Sequence, residues 1–207
     1  MIFVERRKDW SRVQDYLLNM QNKAYKLMFQ DESIVNKNTM KVAYGYCRSG
    51  KKCHSKRFVS PPQSRTLIAT ISAAGLVGQA GVYHKGSTTA DVMEQYLVEK
   101  LLPHTNPFPL PNSVLVIDNA GYHDVERIRA LCGAYGVVVE TLPHYSPELN
   151  PIELLWSSVK YTIRAQRTRL LDERFFAQRL LQIVTERAQE VRCKKWVAKS
   201  GYFHLCA

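Results

Sequence analysis

Residues 113–156, SVLVIDNAGYHDVERIRALCGAYGVVVETLPHYSPELNPIELLW, decide the fold. Four consecutive apolar residues run from Val114 to Ile117, bounded by Ser113 and Asp118. Such a run between turn formers suits a strand buried on both faces. A helix follows over roughly 123–134, then a second buried strand at 136–142. The loop PHYSPELN leads into a helix from Pro151 to about Gln166. Asn150 at the cap, Pro151 at the first helical position and Glu153 at the third make a variant of the capping box. Parallel strands joined by a helix require a right-handed crossover, which restricts the topologies available.

Working outward, Tyr25 to Asp31 reads as a strand that ends in a polar turn at Asp31-Glu32-Ser33. Residues 41–47 form a second strand, 48–57 a basic loop and 65–72 a third strand. Residues 76–84 pair with that third strand after the turn at Ala74-Gly75. A helix covers 88–102, capped by Thr88 or Thr89, with Val92, Tyr96, Leu97 and Leu101 on one face. A last helix over about 172–192 carries Phe175, Leu180, Ile183 and Val184. This element order predicts a ribonuclease-H-like α/β fold, a mixed five-stranded sheet flanked by helices on both faces. The chain divides into a helical lead-in at 1–23, a ribonuclease-H-like domain at 24–166 and a basic helical extension at 167–207.

The fold places Asp31 and Asp118 at the ends of neighbouring strands. Glu153 falls in the first turn of the next helix, where it completes a cluster. Three carboxylates this close are costly unless cations neutralise them. Hard oxygen ligands suit Mg²⁺ or Mn²⁺. Two such ions ~3.5–4 Å apart activate the attacking oxygen and stabilise the leaving one in an in-line phosphodiester displacement. Each acid also has a plainer reading. Asp118 opens a turn-forming Asp-Asn-Ala-Gly, Glu153 sits at a helix start, and Asp31 fits an exposed loop. Glu32, Asp124, Glu126 and Glu148 are nearby alternatives that the physics alone leaves open.

The formal net charge is +11, from 29 basic and 18 acidic residues, which predicts a polyanionic partner and most often nucleic acid. Hydrophobic residues make up 45% of the chain, enough for an ordinary core. No apolar run approaches the ~18–20 residues of a membrane span, and Met1 to Trp10 holds no signal-peptide core. The five cysteines, at 47, 53, 132, 193 and 206, form no CxxC pair, so neither a secreted disulfide framework nor a zinc site is expected. A reduced intracellular protein fits these features.

Three blocks occur in order: Phe29-Gln-Asp31-Glu-Ser33, Val116-Ile-Asp118-Asn119-Ala-Gly-Tyr-His123, and Tyr145-Ser-Pro-Glu-Leu-Asn150-Pro-Ile-Glu153-Leu-Leu-Trp156. Together they resemble the signature blocks of the mariner-like DDE transposases, including their bacterial insertion-sequence relatives. The third block is the specific one. The 34 residues separating Asp118 from Glu153 suit that family, and the resemblance runs from about Met28 to Lys160. It implies that Asp31, Asp118 and Glu153 are the catalytic, metal-binding triad for two Mg²⁺ or Mn²⁺ ions. It further implies cleavage of DNA at transposon ends and joining of the freed 3′-hydroxyl to target DNA, by a homodimer across paired ends. The corresponding location is the nucleus in a eukaryote, or the cytoplasm and nucleoid in a bacterium, with no membrane association and no secretion. Asn119, His123, Asn150 and Pro151 match motif positions beside the triad.

One departure stands out. Family members carry helix-turn-helix modules upstream, yet here the first acid is already residue 31. Recognition of specific ends is therefore not expected of this sequence, which reads as a fragment, a truncated copy or a domesticated relic. A purely hydrolytic nuclease and a non-catalytic DNA-binding protein remain alternatives. From Trp156 to Gly201 there are 11 Lys or Arg against 4 Asp or Glu. Arg164, Arg167 and Arg169 cluster past the third acid as phosphate contacts or a solvated helix face. Lys51, Lys52, Lys56 and Arg57 form a second basic group, read as a DNA clamp or a nuclear-import signal. Tyr145 is placed to stack on a base or to pack its own loop. Trp156 and Trp196 read as core or interface anchors.

Overall fold

The computed structural model describes residues 9–21, 24–36, 39–40, 48–52, 64–84, 89–118, 124–166 and 173–202. The strand expected at 41–47 lies outside these residues, as do Lys56, Arg57, Asn119, His123, Arg167 and Arg169. The described sheet has six strands: β1 (Leu27–Val35), β2 (Arg65–Ser72), β3 (Gly75–Leu76), β4 (Gly81–His84), β5 (Val114–Ile117) and β6 (Val138–Thr141). Their order is β3-β2-β1-β5-β6, with β4 also paired to β2. β1 runs antiparallel to β2 and parallel to β5, and β5 is parallel to β6. The helices are α1 (Trp10–Gln21), α2 (Ala90–Tyr96), α3 (Val125–Ala134), α4 (Ile152–Ala165), α5 (Glu173–Arg187) and α6 (Glu190–Lys199).

The sheet buries both faces. On the front, Leu27, Phe29, Val35, Leu67, Ala69, Ile71, Val114 and Val116 share a core with the inward residues of α4, α5 and α6. α1, read from the sequence as part of a lead-in, adds Val13 and Met20 to this core. On the back, Met28, Ile68, Leu115 and Ile117 pack with Met93 and Tyr96 of α2 and Ile128 and Cys132 of α3. β2 and β5 are buried along their whole length, which is why Val114–Ile117 needs no polar alternation.

Several elements differ from the sequence reading. The first strand does not stop at Asp31. It continues to Val35 because Asp31, Glu32 and Ser33 pair with Ala69, Ile68 and Leu67 of β2. The expected strand at 76–84 is two short ones: the Val77 N–H still donates to the Thr70 carbonyl of β2 at 2.9 Å, but Gly78 to Ala80 leave the ladder. There the Gln79 N–H donates to the Lys100 carbonyl at 3.1 Å. Gly78, at φ +66°, lies so close to that carbonyl that a Cβ would fall 2.1 Å from its oxygen. β6 is less buried than its Val-Val-Val run suggests, because among the described residues it is the edge strand, paired only to β5. The single helix expected over 172–192 is broken at Ala188–Gln189, where the Ala188 carbonyl accepts from the Leu76 N–H of β3 at 3.2 Å. The helix expected over 88–102 holds α-form only from Ala90 to Tyr96, then passes into a π segment to Leu101 and a 3₁₀ turn to His104.

Candidate active site

Strand alternation sets which acids can meet. In β1, Leu27 and Phe29 face the front core and Met28 faces the back. Asp31 therefore lies on the front and Glu32 on the back. In β5, Val114 and Val116 face front while Leu115 and Ile117 face back, so the next residue, Asp118, returns to the front. The parallel register pairs Phe29 with Val116. Two residues further along each chain, Asp31 and Asp118 stand abreast on adjacent strands, whose usual spacing is about 4.8 Å. β5 ends at Ile117 while β1 runs on to Val35, so among the described residues Asp31 pairs with β2 and has passed the last β5 pairing. α4 seats Ile152, Leu155, Trp156, Val159 and Ile163 in the front core. Its first turn carries Glu153 on the exposed side.

These positions are electrostatically linked. The Asp31 carboxyl is pushed up to about 8, first by burial and then by the negative charge of Glu153. A hydrogen bond from the Glu32 backbone works the other way, while the charges of Glu32 and Asp118 raise it further. The Trp156 indole N–H donates to Asp31 Oδ2 at 3.1 Å. Among the described residues, no three His, Cys, Asp or Glu side chains converge tightly enough to hold one ion as they stand. In kind, however, the set fits a hard divalent cation. Its donors are all carboxylate oxygens, and mutual repulsion already disfavours the charged form of Asp31.

Residues 26–174 match the family model described as DDE superfamily endonuclease. The chain belongs to the DDE superfamily endonucleases. No curated protein sequence matches it. Among solved structures it resembles the catalytic domain of Mos1 mariner transposase, with a TM-score of 0.54 and 17% identity over 97% of each chain. It also resembles the mariner Mos1 paired-end complex with Mg (TM-score 0.58, 19% identity) and the Mos1 strand transfer complex (TM-score 0.57, 17% identity). In both, 97% of this chain aligns with 65% of the Mos1 chain. The present chain thus spans a little under two thirds of the Mos1 chains in those complexes. At such identities the likeness establishes the ribonuclease-H-like fold.

Within this DDE endonuclease the alternative acids have other surroundings. Asp124 caps α3 by accepting from the Arg127 N–H at 3.1 Å, and Glu126 pairs with Arg129. Glu148 is exposed on a 3₁₀ turn at Pro147–Leu149. Glu32, on the back, bears on Tyr96 as well as on Asp31. The capping box read at Asn150 is not formed. The Asn150 side chain is buried, its Oδ1 meets no donor among the described residues, and the helix begins one residue after Pro151 without a side-chain cap. The main chain does the work instead, as the Asn150 carbonyl accepts from the Glu153 N–H at 3.2 Å.

The residues read as DNA-facing lie on separate segments. Arg164 is exposed in the last turn of α4, and Lys51 and Lys52 are exposed in the segment 48–52. Tyr145 is 54% exposed at φ +58°, a left-handed backbone that a side chain of its size rarely adopts. With Pro143 and His144 it lines an open pocket completed by Asp9 and Arg12 of the α1 approach. Two supporting residues escaped the sequence reading. Trp156 was recognised as buried but not as a hydrogen-bond donor to Asp31. Tyr202, far along the chain, donates its hydroxyl to the Leu149 carbonyl at 3.0 Å and so pins the turn before α4.

Proposed function

We propose that this chain is the catalytic domain of a mariner-like DDE transposase. It cuts DNA at transposon ends and joins the freed 3′-hydroxyl to target DNA. The observation that carries this reading is the front-face alignment of Asp31 with Asp118, with Glu153 close enough for its charge to act on Asp31. Asp31, Asp118 and Glu153 would hold Mg²⁺ or Mn²⁺, two ions in the working enzyme. Bound there, the cations supply the charge that activates the attacking oxygen and stabilises the leaving oxygen of an in-line displacement.

The chain's own contribution is positioning. β1 carries Asp31, the end of β5 delivers Asp118, and the first turn of α4 brings Glu153 toward the same face. Arg164, Lys51 and Lys52, joined by Arg57 and Arg167, hold phosphates and add affinity without reading sequence. Tyr145 offers a ring for a base near the scissile bond. A side-chain nucleophile is not needed, because water and then the 3′-hydroxyl attack phosphorus directly. Mos1 has been solved in paired-end complexes with Mn and with Mg and in a strand transfer complex. We carry from these the divalent metal and the paired DNA ends, and propose that two copies of this chain act across them. No described helix is long and apolar enough to cross a membrane, and the place of action is wherever the host keeps its DNA.

The test is cleavage of supercoiled plasmid by the purified chain with Mg²⁺ or Mn²⁺, beside an Asp118→Asn control. Nicking by the wild type alone is expected, and equal Mn²⁺-dependent nicking by both would sink the assignment. A pre-cleaved oligonucleotide end then separates transposase from plain nuclease. Its covalent joining to plasmid is expected, whereas hydrolysis alone would leave only the nuclease.

A further inference from the structure

Trp156 is 2% exposed, in the front core beneath α4. A buried indole must place its N–H against an acceptor, because leaving that donor unpaired is costly. The acceptor is Asp31 Oδ2, 125 residues away in sequence. Asp31 lies opposite Ala69 on β2 and abreast of Asp118 beyond the end of β5. Trp156 is also the third residue after Glu153, less than one helical turn along α4. One side chain therefore joins the strand that carries the first acid to the helix that carries the third.

The chemistry of the donor suits this place. An indole offers one N–H and no lone pair, so it cannot become a metal ligand. It is neutral, so it does not cancel the negative charge that attracts a cation, as Lys or Arg would. Ser or Asn in its place could donate too, but each carries an oxygen able to enter the coordination shell. An indole N–H occupies one carboxylate lone pair and leaves the others free.

We propose that Trp156 is a positioning residue of the metal site. Its N–H fixes the orientation of the Asp31 carboxylate and locks α4 against β1, so that Glu153 is presented to the same ions. The inference rests on the metal-dependent reading above, and it goes beyond the packing role that burial alone assigns to this residue.

The test uses the whole chain and reads metal affinity as well as cleavage. Trp156→Phe keeps a packed ring and removes the N–H. Because Phe also leaves a cavity, the decisive variant carries benzothienylalanine at 156, which keeps the bicyclic shape and replaces N–H by sulfur. Mn²⁺ affinity is measured by electron paramagnetic resonance, and metal-free stability by thermal melting. The benzothienyl variant is expected to bind Mn²⁺ about ten-fold more weakly, as loss of a partner that orients a metal ligand commonly does, with its metal-free melting temperature lowered by only about 3–6 °C, the cost of one lost buried hydrogen bond. In an Asp31→Asn background the same replacement should change Mn²⁺ affinity less than about two-fold, since the bond no longer orients a carboxylate. Wild-type Mn²⁺ affinity in the benzothienyl variant would overturn the inference, whatever Trp156→Phe does. A wild-type chain that binds no Mn²⁺ would overturn the metal reading itself, a result distinct from the first.

Discussion

The front and back of the sheet are made from the same strands, yet they treat acidic residues differently. Asp31 and Glu32 are consecutive in β1 and both are partly buried. Asp31 turns toward α4, where Trp156 meets it and where Asp118 and Glu153 lie within electrostatic reach. Glu32 turns toward α2, beneath which Tyr96 and Thr70 close a buried hydrogen bond at 2.9 Å. On the front β5 stops at Ile117, just before Asp118, while α2 and α3 pack on the back. The contrast means that residue type alone does not pick out the candidate site. Parity along a strand, and the place where its neighbour stops, put one acid within reach of other acids and turned its neighbour to the opposite face, toward Tyr96.

The strongest way to break this comparison is to neutralise one acid on each face. Glu153→Gln is expected to reduce metal-dependent nicking on the order of 10²–10³-fold, because it removes charge from the reacting centre. Glu32→Gln should leave the rate within about three-fold, as the change falls behind the sheet. Single-turnover cleavage of a labelled duplex measures both. Equal losses would mean that the two faces are not functionally separate.

A second test sharpens what the front face costs. The Asp31 carboxyl is raised from 3.8 to about 8 in the folded chain, chiefly by burial and by Glu153. Between these values the folded state holds a proton that the unfolded state has released. Metal-free stability should therefore fall as pH rises from about 4 to 8, and level off beyond. Asp31→Asn removes this slope and still offers Trp156 an acceptor oxygen. At pH 8 in EDTA it is expected to be more stable than wild type by a few kcal/mol, with roughly 6 kcal/mol, the full shift, as the upper bound. Urea melts from pH 5 to 8.5 decide it, and parallel profiles for the two proteins would contradict the account.

Strands were more legible in the sequence than the tertiary contacts that support them. Val114 to Ile117 announced a central strand, because four apolar residues in a row need cover on both faces. The same logic overstated Val137 to Val139, since nothing in the sequence says that β6 has a neighbour on one side only. Asp31-Glu32-Ser33 looked like a turn because local propensity is polar, and pairing with β2 overrode it. The break at Ala188 depends on a carbonyl serving β3, over a hundred residues earlier in the chain. Trp156 was legible as buried from its apolar helical face, but its partner is set by the register of α4 on β1, which no local pattern encodes.

The back face has its own test, of smaller size. Tyr96→Phe leaves the Thr70 hydroxyl buried without that partner, at a cost of about 1–2 kcal/mol. For a chain of this length that is a fall of roughly 3–6 °C in melting temperature. Mn²⁺ affinity should not move, because the hydroxyl lies behind the sheet from the acids. A weakened metal site would mean that strain passes through β1 from one face to the other.

Tyr202→Phe carries the smallest expected effect and probes the front from its far edge. The Tyr202 ring lies 4.9 Å from that of Phe29, and its hydroxyl reaches both the Leu149 carbonyl and Tyr16. Phe keeps the ring contact and loses only the hydroxyl, so about 1 kcal/mol of stability should go. The lost bond, however, holds the 3₁₀ turn that delivers α4. A few-fold drop in nicking is therefore expected beside that modest destabilisation, whereas Tyr96→Phe, at equal or greater cost, should leave nicking unchanged. Comparing the two tyrosines at matched temperature below both melting points separates support of the site from support of the fold. If both variants lose activity in proportion to stability, Tyr202 only holds the chain together. If Tyr202→Phe alone is slow, the C-terminal segment belongs to the catalytic unit.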